Sequence, residues 1–131
     1  MLSSLGILVL RVSVGAMMLA GHGWGKLVGF TDKLSTFPDP LGIGPGFSLA
    51  LAVFAEVFCS IALIVGFATR FVAIPLLTTM VVAVLVVHDG DPWREKELAA
   101  LYAVPFLVLI LTGGGDFAVD ALMRPRRRTR L

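Results

Sequence analysis

Arg11 and Glu56 are the two charged residues set inside long apolar stretches, and they raise the first chemical question this sequence poses. A charge near the middle of a membrane helix costs at least about 2.5–3.5 kcal/mol, and an opposite charge nearby reduces that cost. At 1.5 Å per residue, Arg11 stands about 12 Å from a helix start near Ser3, and Glu56 about 16 Å from a helix end at Phe67. Both distances are measured from the same side, and the difference of about 4 Å is within reach of an arginine. This predicts an Arg11–Glu56 ion pair. Such a pair either fixes which helices pack together or forms the polar floor of a ligand or proton site.

The polar pattern continues along the first helix. Arg11, Gly15, Met18, His22 and Lys26 follow helical spacings and fall on one face. Gly15 would let a neighbouring helix or a ligand approach that face closely. His88 ends the third apolar stretch and Glu97 lies in the first turns of the fourth. His22, Lys26, His88 and Glu97 are therefore expected to converge at the outer mouth of a helical bundle. Side chains snorkelling at the interface would produce the same pattern. Two histidines on different helices, without a spaced His motif, do not predict a metal site.

No catalytic set accompanies these residues. Gly113–Gly115 lacks the strand–turn–helix setting of a phosphate loop, and the glycine-rich run Gly21–Lys26 ends a membrane helix. There is no Gly-x-Ser-x-Gly elbow. Cys59 is the single cysteine, so no internal disulfide can form; inside an apolar run it reads as a buried filler.

The elements that must position these residues follow from composition. Of the 131 residues, 57% are hydrophobic and 15% charged, against about 25% charged in a typical soluble domain. The mean hydropathy is +0.93. A hydrocarbon core of about 30 Å needs roughly 20 apolar residues in helical form. Helices are expected at about 2–24, 47–67, 71–88 and 92–112, giving an all-α, antiparallel, integral membrane four-helix bundle over residues 1–123. An outer loop rich in Pro, Gly and Asp joins the first two helices, and Gly66–Arg70 is a tight turn. Asp91-Pro92 supplies a cap and a favoured first residue for the fourth helix, whose first turn, with Trp93, lies at the interface. Asp116–Met123 is expected to form short amphipathic turns on the membrane surface. The opening segment lacks a basic n-region and is interrupted by Arg11, so it reads as retained and not as a signal peptide.

Charge sets orientation. The net charge is +2, and five of the eleven basic residues (Arg124, Arg126, Arg127, Arg128 and Arg130) fall in a tail at 124–131. With Arg70 they favour a cytoplasmic tail and cytoplasmic termini. A lone basic tail after a membrane segment faces anionic lipid, and no nucleic-acid partner is expected.

Three segments, in order along nearly the whole chain, resemble the DoxX family. They are Arg11–Phe30 with its His-Gly-x-x-Lys, Glu56 followed by the Gly-x-x-Thr-Arg turn at Gly66–Arg70, and Glu97 with Tyr102, Gly113–Asp116 and Asp120. The resemblance implies a multi-pass bacterial inner-membrane protein, and it carries the family's Arg, Glu, His and Lys positions onto Arg11, Glu56, His22 and Lys26. Some relatives are linked to quinone-coupled sulfur or oxygen respiration, through partner subunits. Three functions are therefore weighed. One is an accessory or scaffold subunit of a membrane redox or stress-response system, with a protein partner or as a homo-oligomer; at most it would be a non-catalytic subunit of a quinone-linked oxidoreductase. The second is binding of a quinone or other lipophilic ligand in the seam of Arg11, Gly15, His22, Lys26, Glu56, His88 and Glu97. The third is transport of a small solute or proton. No other cofactor is expected.

Overall fold

The computed structural model describes residues 1–125, and all regular structure within them is helical. Of the expected basic tail, Arg126, Arg127, Arg128 and Arg130 lie outside the described residues. Four long helices carry the fold: α1 (Leu2–Val28), α3 (Pro45–Val65), α4 (Thr69–Val87) and α5 (Trp93–Thr112). Two single turns, α2 (Phe30–Lys33) and α6 (Val119–Leu122), lie in the connections. α1, α3 and α4 are long and apolar enough to cross a membrane. α5 has 20 residues, but Arg94, Glu95, Lys96 and Glu97 crowd its first turns.

The surface is apolar around the helices. Val9, Phe54, Phe58, Ile61, Phe71, Leu85, Leu101, Val104 and Leu111 are all exposed, which only a hydrocarbon solvent makes stable. The interior is small and close-packed. Val14 and Met18 of α1, Cys59 and Leu63 of α3, Ala73, Leu76 and Met80 of α4, and Phe106 and Leu109 of α5 form one cluster. Cys59 is 3% exposed and serves as the apolar filler expected of it.

α1 and α3 run in opposite directions, because Gly15 meets Ser60 and Ile64 while Gly23 meets Glu56 and Val57. Glycine is required at both crossings. A methyl group on Gly15 would lie 2.7 Å from Ile64 Cγ1, and one on Gly23 would overlap the Glu56 carbonyl. The neighbour that Gly15 admits is thus a helix. α1 extends four residues past its expected end at 24, and this added turn carries Lys26.

Each of the three membrane-length helices contains a π-helical segment: Leu19–Gly23 in α1, Phe54–Cys59 in α3 and Ala83–Val87 in α4. Segments of this kind rotate the register of everything that follows and are frequent at functional sites. Here His22 and Glu56 fall inside two of them. Pro75 and Pro105 are accommodated without ending α4 or α5.

The turn between α3 and α4 is clamped from both sides. Gly66 ends α3 in the left-handed region, with φ at 78°, and the Phe67 N–H returns to the Ala62 carbonyl. Arg11 then supplies what the helix end lacks. Its guanidinium donates to the carbonyls of Leu63 (3.1 Å), Ile64 and Phe117 (2.8 Å). Asp120 acts on the next helix start, accepting from the N–H groups of Ala68 (2.7 Å) and Thr69 (2.9 Å). A cation at one helix C-terminus and a carboxylate at the next N-terminus each complement the local dipole. The segment after α5 therefore folds back onto the helices, with Ala118 buried against Gly66 and Gly114. The short turns expected for Asp116–Met123 include the single helical turn α6, with Phe117, Leu122 and Met123 exposed.

Candidate functional site

The expected Arg11–Glu56 pair does not form. Arg11 is 1% exposed and bonds carbonyls at the turn, whereas Glu56, 4% exposed, pairs with Lys26 at 2.9 Å. The reason is register. α1 and α3 pack with Glu56 opposite Gly23, twelve residues or about 18 Å along α1 from Arg11. Since a helical side chain leans toward its own N-terminus, the two side chains of this antiparallel pair also lean apart. Lys26 and Glu56 lean toward each other, and their heads meet.

This pair borders a cavity of about 390 Å³ enclosed by α1, α3, α4, α5 and the loop that follows α2. α1 contributes His22 and Lys26, and α3 contributes Ser48, Leu51, Ala52 and Glu56. α4 lines it with Thr78, Thr79, Met80, Val82, Ala83 and Val87, and α5 with Glu95, Leu98, Ala99 and Tyr102. Most of this wall is apolar. The volume lies within the range of small-molecule sites, in which a few placed polar groups stand in an apolar lining.

Its ionisable groups come from α1 (His22, Lys26), α3 (Glu56), the residue that ends α4 (His88) and α5 (Glu95, Tyr102). Lys26 Nζ and Glu56 Oε2 form an ion pair off hydrogen-bond alignment, and Glu56 Oε2 receives no hydrogen bond among the described residues. The His22 ring lies edge-on to Tyr102, with centroids 5.4 Å apart, and Tyr102 stacks on Phe106 at 6.2 Å. His22, Lys26, Phe37 and Pro38 also border a second, more open groove of about 420 Å³, which includes Lys33 and Thr36. The two spaces share their wall at His22 and Lys26.

Asp39 holds the roof of the cavity. Its carboxylate accepts from Ile43 N–H (3.0 Å), Gly44 N–H (2.8 Å) and Ser48 Oγ (2.8 Å). These bonds fix Pro40, Leu41 and Ile43 over the cavity and tie the loop to the start of α3. Partial burial pushes the Asp39 carboxyl up, but the bonds from Ser48, Gly44 and Ile43 outweigh it and hold the group below the usual carboxylate range.

The expected convergence is thus partial. His22, Lys26, Glu56 and His88 all line the cavity, with His88 also bonded to Asp91 at 3.0 Å. Glu97 is exposed and outside it; Glu95, two residues earlier, is the α5 acid that borders the space. Arg11 and Gly15 belong to helix packing, one at the turn and one at the α1–α3 crossing. Sequence reasoning missed Asp39 as the loop anchor and Gly23 as the contact that lets Lys26 reach Glu56. The Asp-Pro-x-Gly-x-Gly-Pro run was the available signal for the first.

The chain is 26% identical over 129 residues to the inner membrane protein YqjF of Escherichia coli (strain K12), covering 95% of this chain and 97% of that relative. No solved structure gives a significant match. The DoxX family model matches residues 6–89, a stretch holding α1, α3, α4 and most of the cavity's polar groups. This chain, a membrane protein by its apolar helices, belongs to the DoxX family.

Proposed function

We propose that this protein binds a quinone or similar lipophilic ring compound in the cavity beside Lys26 and Glu56, as a non-catalytic subunit of a membrane redox or stress-response system. One observation carries the reading: a buried ion pair borders a ligand-sized space instead of a packed interior. A pair kept only for packing gains nothing from such a space. A ring carbonyl needs a hydrogen-bond donor, and Lys26, His22 and Tyr102 offer donors of that kind along an apolar wall.

In this proposal α5 spans the membrane with the other three long helices, completing an antiparallel four-helix bundle. Its charged first turn and Trp93 lie at the outer interface, and both termini are cytoplasmic. The inner-membrane location is taken over from the named bacterial relative. Reporter fusions to the α3–α4 turn and to the loop after α2 test this orientation. Opposite topologies are expected for the two sites, and reversal of either overturns it.

The binding reading is tested by purification in mild detergent followed by lipid extraction. A quinone approaching one per chain is expected from the wild type, with loss from Lys26→Met and Glu56→Gln. A stoichiometric protein partner with no extractable ring compound would instead favour a scaffold without a ligand.

A further inference from the structure

The cavity has a flank as well as an end. α3 packs on α4 from Phe54 onward, through Phe54–Cys59 and Ser60–Val65, whereas Pro45–Val53 is held mainly by the last turn of α1 and by α2. Before Phe54, over Pro45–Val53, the two helices part. Leu51 of α3 and Thr78 of α4 stand on either side of this gap, and both line the cavity while remaining exposed. Leu51 lies six residues beyond the start of α3, about 9 Å in, and Thr78 nine residues before the end of α4, about 14 Å in. At those depths an exposed flank faces hydrocarbon and not water.

The rim of the gap is chemically blank. Thr78 gives its hydroxyl to the Ile74 carbonyl at 2.9 Å, and Thr79 gives its own to Pro75 at 2.8 Å. The ionisable groups of the wall, including His22, Lys26 and Glu56, belong to other parts of it. A molecule spanning this space would meet polar partners at one end and bilayer at the other.

We infer that the gap between α3 and α4 is a lateral portal, and that the ligand is an amphiphile with a compact polar ring and a linear hydrocarbon or isoprenoid chain. The ring sits beside Lys26 and Glu56, and the chain passes between Leu51 and Thr78 into the bilayer. This rests on the ligand-binding reading above and adds the class of ligand and its route. The chain gains little affinity from the protein, because it is apolar on both sides of the portal. Its contribution is to concentrate the ligand in the membrane and to orient it.

The test uses the full chain in liposomes and two benzoquinones with the same ring, one carrying a decyl chain and one without a chain. Thr78→Trp and, independently, Leu51→Trp fill the portal from exposed positions that tolerate bulk. Each is expected to weaken binding of the decyl probe at least tenfold more than binding of the chainless probe. Equal weakening of both probes, or no effect on the decyl probe, overturns the portal and leaves ring binding in place. If the wild type binds neither probe, the ligand-binding reading falls and the portal with it.

Discussion

Gly23 rests its Cα on the backbone of Glu56, where any side chain would overlap the Glu56 carbonyl. This contact lies three residues before Lys26 and sets how closely α1 approaches α3 at the level of the ion pair. Gly23→Ala is expected to push the helices apart and to cost about 1–3 kcal/mol, the usual range for overpacking. Gly21→Ala, at a position with no neighbour within 4 Å, should be neutral or stabilise by up to about 1 kcal/mol through helix propensity. Thermal unfolding in detergent distinguishes them, and equal effects would contradict the assigned contact.

Lys26 and Glu56 should behave as a coupled unit. Removing one partner of a buried pair costs about 3–5 kcal/mol; Lys26 keeps 22% of its side-chain surface exposed, so the lower end or less applies. Lys26→Met and Glu56→Gln are each expected to lower stability, and the double variant to recover at least half of the summed loss. Additive losses in that cycle would mean the two side chains do not interact.

Arg11 should prove structural. Arg11→Met strips a charged donor from three carbonyls, each such bond being worth about 1.5–3 kcal/mol at most, and a total loss on the order of 3 kcal/mol is expected. Arg11→Lys should fail to restore it, because an ammonium lacks the planar fork that spans these acceptors. Ligand retained per folded molecule should not change. A loss of ligand with stability intact would return Arg11 to the binding site.

Asp120 should give the stability curve an acid limb. Partial burial raises its carboxyl, but the hydrogen bonds from Thr69 and Ala68 outweigh that and leave it below the ordinary carboxylate value. A depressed folded-state pKa contributes stability that is complete above the unfolded value of about 3.9 and disappears as pH falls through the folded one. Unfolding temperature should therefore be insensitive to this group from pH 7 to about pH 5, then decline. Asp120→Asn should flatten that decline while lowering stability at neutral pH by about 1 kcal/mol, as for a lost helix cap. An unchanged acid limb would assign the titration elsewhere; Asp39 is the other depressed carboxylate.

Much of this arrangement is legible in the residues. Hydropathy and turn residues locate α1, α3 and α4, and the stripe through His22 and Lys26 reaches the cavity. Depth counted from the helix ends misplaced Arg11 and Glu56, because the packed register puts Glu56 beside Gly23 and Arg11 beside the Gly66 turn. Asp39 and Asp120 act on backbone groups that no pattern of side chains reveals, and Asp120 does so from 51 and 52 residues away. The π-helical segments leave no mark in hydropathy at all.

The clamp around Arg11 has a consequence for how the protein is made. The carbonyl of Phe117 is separated from Arg11 by 106 positions, so the ribosome delivers one long after the other. Until Phe117 and Asp120 arrive, Arg11 lies in the membrane with an incomplete set of acceptors and the α3–α4 turn has no carboxylate cap. Closing the clamp thus waits until the segment after α5 has been made. A chain stopped at Gly115 should insert normally yet turn over much faster in a pulse-chase, and equal lifetimes would show that cellular quality control does not read the clamp.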